Sequence, residues 1–221
     1  MRILFCNIAW MKYYKGFIPG TDTPLGGGSY VEQTGDAHEK NNFCVTDLTF
    51  PEDEEKNGVY CVGFVETKGT SKGKSNQLHI EKIDGCELLN TESIAEDVLV
   101  IYCAKYPYTD KTESVVVGWY KHATVFRDFQ KIEFNEEGIE NQFYNAIARV
   151  EDCVLLPTGT RRQSIWKAQR RKSGISYGFG QSNVWFASGA EDNPYLKSYL
   201  DNLVKNIETY SGENWLMKEP E

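Results

Sequence analysis

The chain has 221 residues, 40% of them hydrophobic, and a net charge of −8 at pH 7. The apolar content is high enough for a sizeable core, which excludes a chain that is disordered throughout. The longest apolar runs are much shorter than the ~20 residues that span a bilayer, and the acidic balance argues against non-specific binding to polyanions. The length suits one large domain or two small ones, and we expect a single domain covering residues 1–221.

Most of the predicted elements in the first half of the chain are strands. Residues 2–9 predict a first strand and not a signal peptide, because the apolar start turns polar at Asn7 and no cleavage-site pattern follows. A long glycine-rich loop comes next, and such loops are usually functional or mobile. Alternation, or β-branched and aromatic content, predicts further strands at residues 43–50, 59–65, 78–83, 98–103, 114–120 and 123–126.

Two helices are predicted later in the chain. Residues 135–150 carry an apolar stripe at helical spacing that includes Phe143 and Ile147. A second helix begins after Asn193, a good N-cap followed by proline, and we expect it to end at Gly212. Strands come first and helices late, without regular βαβ alternation. This order predicts an α+β fold with a curved, mostly antiparallel sheet or open barrel flanked by helices.

Cysteine and histidine usage bears on compartment and metal binding. The six cysteines are widely spaced with no C-x-x-C pair, and only three histidines are present. A zinc site is therefore poorly supported, and we expect no metal and no other cofactor. Free cysteines in apolar runs favour a reducing compartment, which makes the cytoplasm the expected location.

One segment reverses the charge of the chain. Residues 153–190 contain no Asp or Glu and six cations, so the net charge of −8 divides into +6 for this segment and −14 for the rest. The six cations are Arg161, Arg162, Lys167, Arg170, Arg171 and Lys172. Such side chains bind phosphates by charge and by forked donors, so we expect them to contact a nucleic-acid backbone. The alternative is a solvated surface whose charges balance acidic neighbours. If the segment were helical, residues spaced by four would share a side, as Arg162, Trp166 and Arg170 do.

Aromatic residues near turns suggest a pocket for a planar ring. Strand alternation places Trp119 and Lys121 on one face and Tyr120 and His122 on the other. An aromatic strand of this kind either walls a pocket or is simply half-buried. The candidate pocket residues are Trp10, Tyr13, Tyr14, Tyr30, Trp119, Tyr120 and Trp185, and the candidate polar contacts are Ser29, Lys121, Gln181, Ser182 and Asn183.

The glycine-rich stretch at residues 176–186 precedes Trp185. Its glycines would let backbone amides approach a phosphate or a base closely. It is neither a Walker loop nor a Rossmann fingerprint, because no G-K-[ST] follows and Asn183 stands where the third glycine would be. The alternative is a turn into a buried strand.

Four short blocks resemble the amino-terminal specificity domains of bacterial modification-dependent restriction endonucleases. They are MRILFCNIAWM at 1–11, GGSYV at 27–31, VVGWYKHATVFR at 116–127 and GFGQSNVW at 178–185. Some of those domains are similar to the EVE and YTH members of the PUA-like superfamily, which take a flipped, methylated base into an aromatic cage. The resemblance implies a curved PUA-like barrel and such a cage here.

Together these observations predict a DNA-binding specificity domain that flips a modified base, most simply a methylated one, into an aromatic pocket. It would target a restriction or defence system and bind double-stranded DNA, with any cleavage supplied by a separate nuclease domain or subunit. The sequence has no nucleophile elbow or metal-bound catalytic pattern, so catalysis by this chain alone is not expected. Two alternatives stay open: a protein-interaction or scaffold module, and an enzyme acting on nucleotides or RNA.

Overall fold

A computed structural model describes residues 1–67, 77–109, 113–132 and 141–220, and all statements below concern these ranges. The strands are β1 (Ile3–Ile8), β2 (Val45–Leu48), β3 (Gly58–Gly63), β4 (Ile94–Lys105), β5 (Ser114–Ile132), β6 (Gln142–Arg149), β7 (Cys153–Leu155), β8 (Lys167–Ala168) and β9 (Val184–Trp185). The helices are α1 (Ser29–Thr34) and α2 (Pro194–Glu208). In these ranges, neither helix has the length and apolar character that crossing a lipid bilayer requires.

The strands form one open, mixed sheet. Its order is β2-β3-β6-β5-β4-β1-β9, and β7 and β8 pair with β5 off this path. Only β1 and β4 run parallel among the paired strands of the described ranges, and the other pairs are antiparallel. The prediction of a fold that combines helices with a large, mostly antiparallel sheet is confirmed at this level.

The long strand β5 organises the sheet. It pairs with β4 along one edge, and along the other it pairs in turn with β8, β7 and β6. The β4–β5 register shifts near Val98, where Asp97 and His122 both adopt left-handed backbone with φ of 56° and 49°. Their side chains meet across the shift, with His122 Nδ1 2.7 Å from Asp97 Oδ1. Such bulges bend a strand. The bend lies between the part of β5 that pairs with β7 and the part that pairs with β6.

Each face of the sheet buries its own core. Tyr120 packs in the larger cluster with residues such as Phe43 and Tyr102, whereas Trp119 packs in a second cluster beneath α2. The predicted alternation of Trp119 and Tyr120 is therefore confirmed. Lys121 lies on the side of α2, where its Nζ is 4.0 Å from Glu208 Oε2.

The predicted carboxy-terminal helix is confirmed as α2. The Asn193 side chain accepts a hydrogen bond from the Leu196 amide at 3.1 Å, and proline occupies the first turn. Leucines at positions 196, 200 and 203 are buried on the sheet side. The helix ends at Glu208, before the predicted stop at Gly212.

Two predicted elements are wrong. The part of the predicted helix 135–150 that the structure describes is the strand β6 and a short 3-10 turn, while residues 135–140 lie outside the described ranges. Because β6 sits between β3 and β5 and is buried on both faces at its end, its nearly continuous apolar run imitates a helical stripe. Residues 78–83, predicted as a strand, contain a 3-10 turn at Ile80–Lys82 instead.

Candidate functional site

A surface cavity of about 390 Å³ opens just beyond the end of β1. Three parts of the chain form it: the loop after β1, the turn between β4 and β5, and the start of the basic segment. We call it the aromatic cavity. Its lining residues are Trp10, Lys12, Gly20, Thr21, Asp22, Thr23, Leu25, Tyr106, Tyr108, Thr158, Gly159 and Arg162.

Three aromatic rings stand nearly perpendicular to one another in this cavity. Trp10 and Tyr106 have centroids 5.2 Å apart at 81°, and Tyr106 and Tyr108 have centroids 5.5 Å apart at 75°. Trp10 and Tyr108 complete the set at 6.5 Å and 88°. Trp10 is only 4% exposed and is held by the core, whereas Tyr108 is 69% exposed at the rim. The cavity therefore combines a fixed indole with an accessible phenol ring.

The floor of the aromatic cavity is built by one buried carboxylate. Asp22 is 2% exposed, and its oxygens accept hydrogen bonds from the amides of Lys12, Tyr13 and Tyr14. The latter two bonds measure 2.8 and 2.9 Å. A pair of backbone bonds between Trp10 and Leu25 closes the same loop. These contacts fix the backbone on which the Trp10 ring depends.

Arg161 is buried completely and is not available to a nucleic acid. Its guanidinium donates to the carbonyls of Leu156, Met11 and Lys12 at 2.8, 2.7 and 2.8 Å. It also lies 5.1 Å from the centroid of the Trp10 ring. Burial lowers the pKa of Arg161 to about 10. The expectation that Arg161 contacts phosphate is wrong, because loop carbonyls take up its donors.

Arg162, by contrast, is exposed at the aromatic cavity. Its guanidinium carbon lies 5.5 Å from the centroid of Tyr106. Lys12 lies on the same cavity, with its Nζ 4.7 Å from the Tyr13 ring centroid. Asp22 is the only acid among the described lining residues, and backbone amides occupy its oxygens. The rim is therefore positive.

The basic segment is not a helix. It consists of 3-10 turns at Thr160–Arg162 and Ser164–Trp166, followed by β8, so the predicted helical sides do not form. Trp166 is buried and stacks on Trp119, with centroids 5.3 Å apart. The cations of the segment therefore point to different surroundings.

Of the remaining four cations, Lys167 is exposed and ion-paired, Arg170 is half-buried and hydrogen-bonded, and the other two are exposed. Lys167 lies 3.3 Å from Glu113 Oε1. Arg170 is half-buried and donates to Ser114 Oγ at 2.7 Å and to Asn7 Oδ1 at 3.1 Å, so its role is structural. Arg171 and Lys172 are exposed.

A second cavity, of about 310 Å³, lies where the glycine-rich stretch meets β9. We call it the glycine-serine cavity. It is lined by Arg171, Ser176, Tyr177, Gly178, Gly180, Gln181, Ser182, Val184, Trp185, Phe186, Ser188, Gly189, Asn193 and Leu196. Of the predicted contact residues, it brings together Arg171, Gln181, Ser182 and Trp185. Asn183 lies outside it and donates from Nδ2 to the Glu66 carbonyl at 3.3 Å.

Four residues expected to line a base pocket lie in the core instead. Tyr13, Tyr14, Trp119 and Tyr120 are at most 1% exposed and do not reach either cavity. The physical reason is packing or hydrogen bonding inside the protein: Tyr13 stacks on Trp215 and Trp119 on Trp166, with centroids 5.5 and 5.3 Å apart. The Tyr14 hydroxyl donates to the Ala9 carbonyl at 2.8 Å, and the Tyr120 hydroxyl donates to the Asn42 carbonyl.

The other predicted pocket residues have separate locations. Trp10 lines the aromatic cavity and Trp185 the glycine-serine cavity, so the structure does not bring them together in one pocket. Lys121 is apart from both cavities, beside α2. The side chains of Ser29 and Tyr30 lie outside the part of the chain that the structure describes.

Sequence reasoning missed Asp22, Tyr106 and Tyr108. The two tyrosines flank Pro107 at the end of a strong strand, and paired aromatic residues in a turn are a signal that could have been used. Asp22 gives no such signal, because its role depends on amides eight to ten residues away.

Comparison of the chain with protein-family models, with curated proteins and with solved structures gives no match. The likeness to modification-dependent restriction endonucleases therefore stays a prediction. Any function has to be argued from the cavities and charges described above.

Proposed function

We propose that this protein binds nucleic acid and takes an unstacked, modified base into the aromatic cavity. The observation that carries the proposal is the set of three nearly perpendicular rings, Trp10, Tyr106 and Tyr108, with the Arg162 guanidinium beside them. A planar base has a π-face that stacks on such rings, and its phosphate carries the charge that a guanidinium binds.

Size and stacking support this assignment. The volume of about 390 Å³ falls in the range of about 300–1,000 Å³ that small-molecule pockets occupy. Base–aromatic stacking contributes ~1–3 kcal/mol per base, enough to offset much of the cost of unstacking. Because Trp10 is already held by the core, ordering it on binding costs little entropy.

Charge supports it as well. Arg162 and Lys12 make the rim positive in a protein whose net charge is −8. Electrostatic attraction to the backbone would then act at this rim and would fall as salt is added. Beneath the rim, the opposite charges of the buried residues Arg161 and Asp22 offset each other. The charge at the cavity mouth is therefore set by Arg162 and Lys12.

A modified base gains affinity through apolar contact. One additional buried methyl group stabilises a complex by ~0.8 kcal/mol, about four-fold in affinity. The edge of Tyr108 and the Leu25 side chain are the apolar groups at the rim that such a methyl would meet. Phosphate contacts would supply affinity, and the aromatic cavity would supply selectivity for the base.

The proposal extends to fold family and biological setting. The open, mostly antiparallel sheet is compatible with a PUA-like reader of the EVE or YTH kind, and the resemblance of the four sequence blocks is what favours that family. In this setting the chain would target double-stranded DNA for a restriction or defence system, and a separate nuclease domain or subunit would cleave it.

Fluorescence anisotropy tests this function. Labelled duplexes that are unmodified, cytosine-methylated, hydroxymethylated or adenine-methylated are titrated at two salt concentrations. We expect salt-dependent binding with a preference for one modified duplex. Tyr108→Ala should weaken that preferred complex about 5- to 150-fold, following the stacking range of ~1–3 kcal/mol.

Tyr195→Ala is the matched control, because Tyr195 is 80% exposed on α2 and lines neither cavity. It should bind like the wild type. Equal affinity for all four duplexes, or equal affinities of the Tyr108→Ala and Tyr195→Ala variants, would overturn the proposal.

A further inference from the structure

The glycine-serine cavity is free of acidic side chains in an acidic chain. Among its described lining residues there is no Asp or Glu, although the whole sequence has 32 of them. Arg171 is its one charged lining residue and is exposed. A site of this charge attracts an anion and offers no carboxylate to repel it.

We propose that the glycine-serine cavity binds a phosphate of the nucleic-acid backbone. This inference rests on the proposed function and adds a second, separate contact to it. The aromatic cavity selects the base, and the glycine-serine cavity anchors the strand.

The hydrogen-bond donors of the cavity suit a phosphate. Ser182 Oγ accepts from the Val184 amide at 3.2 Å, which leaves its own O–H to donate elsewhere. Within the described part of the chain, the amides of Gly180, Gln181 and Ser182 donate to no other residue. Ser176 and Ser188 add hydroxyls. Amide and hydroxyl donors beside one arginine are the groups that hold phosphate oxygens in proteins.

Glycine at position 178 holds the loop against the arginine. Its backbone has φ of 108°, and a Cβ there would lie 2.5 Å from the carbonyl carbon of Gln169. The close approach lets the Phe179 amide donate to the Gln169 carbonyl at 2.9 Å and the Arg171 amide donate to the Phe179 carbonyl at 3.0 Å. These bonds fix the loop beside the backbone of Arg171, and a Cβ on Gly180 would lie 4.0 Å from Arg171 Cδ.

β1 and the loop that follows it adjoin both cavities. The Asn7 amide donates to the Asn183 carbonyl at 2.7 Å, next to the glycine-serine cavity, and Trp10 of the aromatic cavity follows three residues later. Because three residues span at most about 11 Å, Asn7 and Trp10 lie no farther apart than this.

Variants of two adjacent cations test the site. The slope of log K against log salt concentration is measured for the 221-residue chain with preferred and unmodified duplexes. Arg171→Ala should reduce the slope by about 0.9, the value for one phosphate contact, and should weaken both duplexes equally. Lys172→Ala removes a neighbouring exposed charge that lines neither cavity, and it should leave the slope unchanged. Equal slopes for the two variants would overturn the site, because they would indicate general electrostatics.

An NMR titration distinguishes a phosphate site from a second base site. The amide resonances of Gly180, Gln181 and Ser182 are followed while inorganic phosphate, a dinucleotide or an uncharged nucleoside is added. We expect shifts with phosphate and with the dinucleotide. Shifts with the nucleoside and none with phosphate would overturn the proposal and assign the cavity to a base, stacked on Tyr177.

The two proposals fail separately. If Arg171→Ala reduces the slope while all duplexes bind equally, the phosphate site stands and base selection by the aromatic cavity is wrong. If Tyr108→Ala abolishes modification preference while Arg171→Ala behaves like Lys172→Ala, base selection stands and the phosphate site is wrong.

Discussion

The guanidinium of Arg161 lies 5.1 Å from the centre of the Trp10 ring, and it simultaneously donates to the carbonyls of the next two residues, Met11 and Lys12. Trp10 is the most buried ring of the aromatic cavity. Arg161, which is fully buried, therefore supports this surface site without contacting a ligand in it. The adjacent Arg162 faces that ligand space directly. Two neighbouring arginines thus carry separate structural and binding roles.

Substitution of these arginines should separate stability from binding. Arg161→Ala leaves three loop carbonyls without their donors, and we expect it to lower the free energy of unfolding by about 3 kcal/mol or more, since hydrogen bonds to charged groups contribute ~1.5–3 kcal/mol each. Urea denaturation measures this change. Arg162→Ala should change stability by less than about 0.5 kcal/mol and should weaken oligonucleotide binding. Equal stabilities of the two variants would contradict the structural role of Arg161.

Asp22→Asn should loosen the aromatic cavity. An asparagine side chain has one acceptor oxygen and an NH2 group that cannot accept from backbone amides, so at least one of the three amides loses its partner. We expect a loss of about 1–3 kcal/mol in the free energy of unfolding, and faster exchange of at least one of the amide hydrogens of Lys12, Tyr13 and Tyr14. Asp201→Asn, at an exposed position on α2, is the control and should behave like the wild type. Unchanged exchange in the Asp22 variant would show that the carboxylate does not hold the loop.

The Glu81–Arg127 ion pair predicts a pH dependence of stability. Burial raises the pKa of Glu81, but hydrogen bonds from the backbone, Arg127 and His79 outweigh it and hold the pKa below its usual value of 4.5. The folded state thus binds this proton less readily than the unfolded state. The contribution of Glu81 to stability is complete above pH 4.5 and disappears as the pH falls through the lowered pKa.

Glu81→Gln should therefore be less stable than the wild type at pH 7, where Arg127 Nη1 lies 2.7 Å from the carboxylate, and this difference should shrink at pH 3. Denaturation at the two pH values gives the comparison. Glu52→Gln, at an exposed position, is the control and should show no pH-dependent difference from the wild type. A constant difference for Glu81→Gln at both pH values would indicate packing and not charge.

Gly118 is required by close packing at the centre of the sheet. A Cβ on this residue would lie 2.6 Å from Cζ of Phe43, in a part of the core where Phe43 also packs against Tyr102 and Tyr120. Gly118→Ala should cost about 1–3 kcal/mol of stability by overpacking. Gly159→Ala is the matched control, since no atom lies within 4 Å of a Cβ there and its φ of −66° suits alanine. Thermal unfolding of both variants would show whether the two glycines differ as expected.

Local pattern alone identified several elements. The strand content of β1, β2 and β3 and the capped, amphipathic α2 were predictable, because neighbouring residues largely determine alternation, β-branching and helix capping. The same local reasoning misassigned β6 as helix. Its position between two other strands produced an apolar run that a single segment cannot distinguish from a helical stripe.

The sequence predicted which kinds of residue the candidate site contains but not how they are arranged. The sequence by itself determined that a positive, acid-free segment lies near glycines and aromatic residues in an otherwise acidic chain. It did not determine that Trp10 and Trp185 belong to different cavities, or that Tyr106 and Tyr108 complete one of them.

Only the tertiary structure decided which of two adjacent arginines meets solvent. Arg161 can be buried because backbone carbonyls, among them that of Met11, accept its hydrogen bonds. Met11 lies 150 residues earlier in the chain, so no local sequence pattern indicates this partner. Alternation and capping are short-range properties that the sequence shows directly. Burial of a charge depends on distant backbone groups that satisfy it, and these come together only when the sheet has formed.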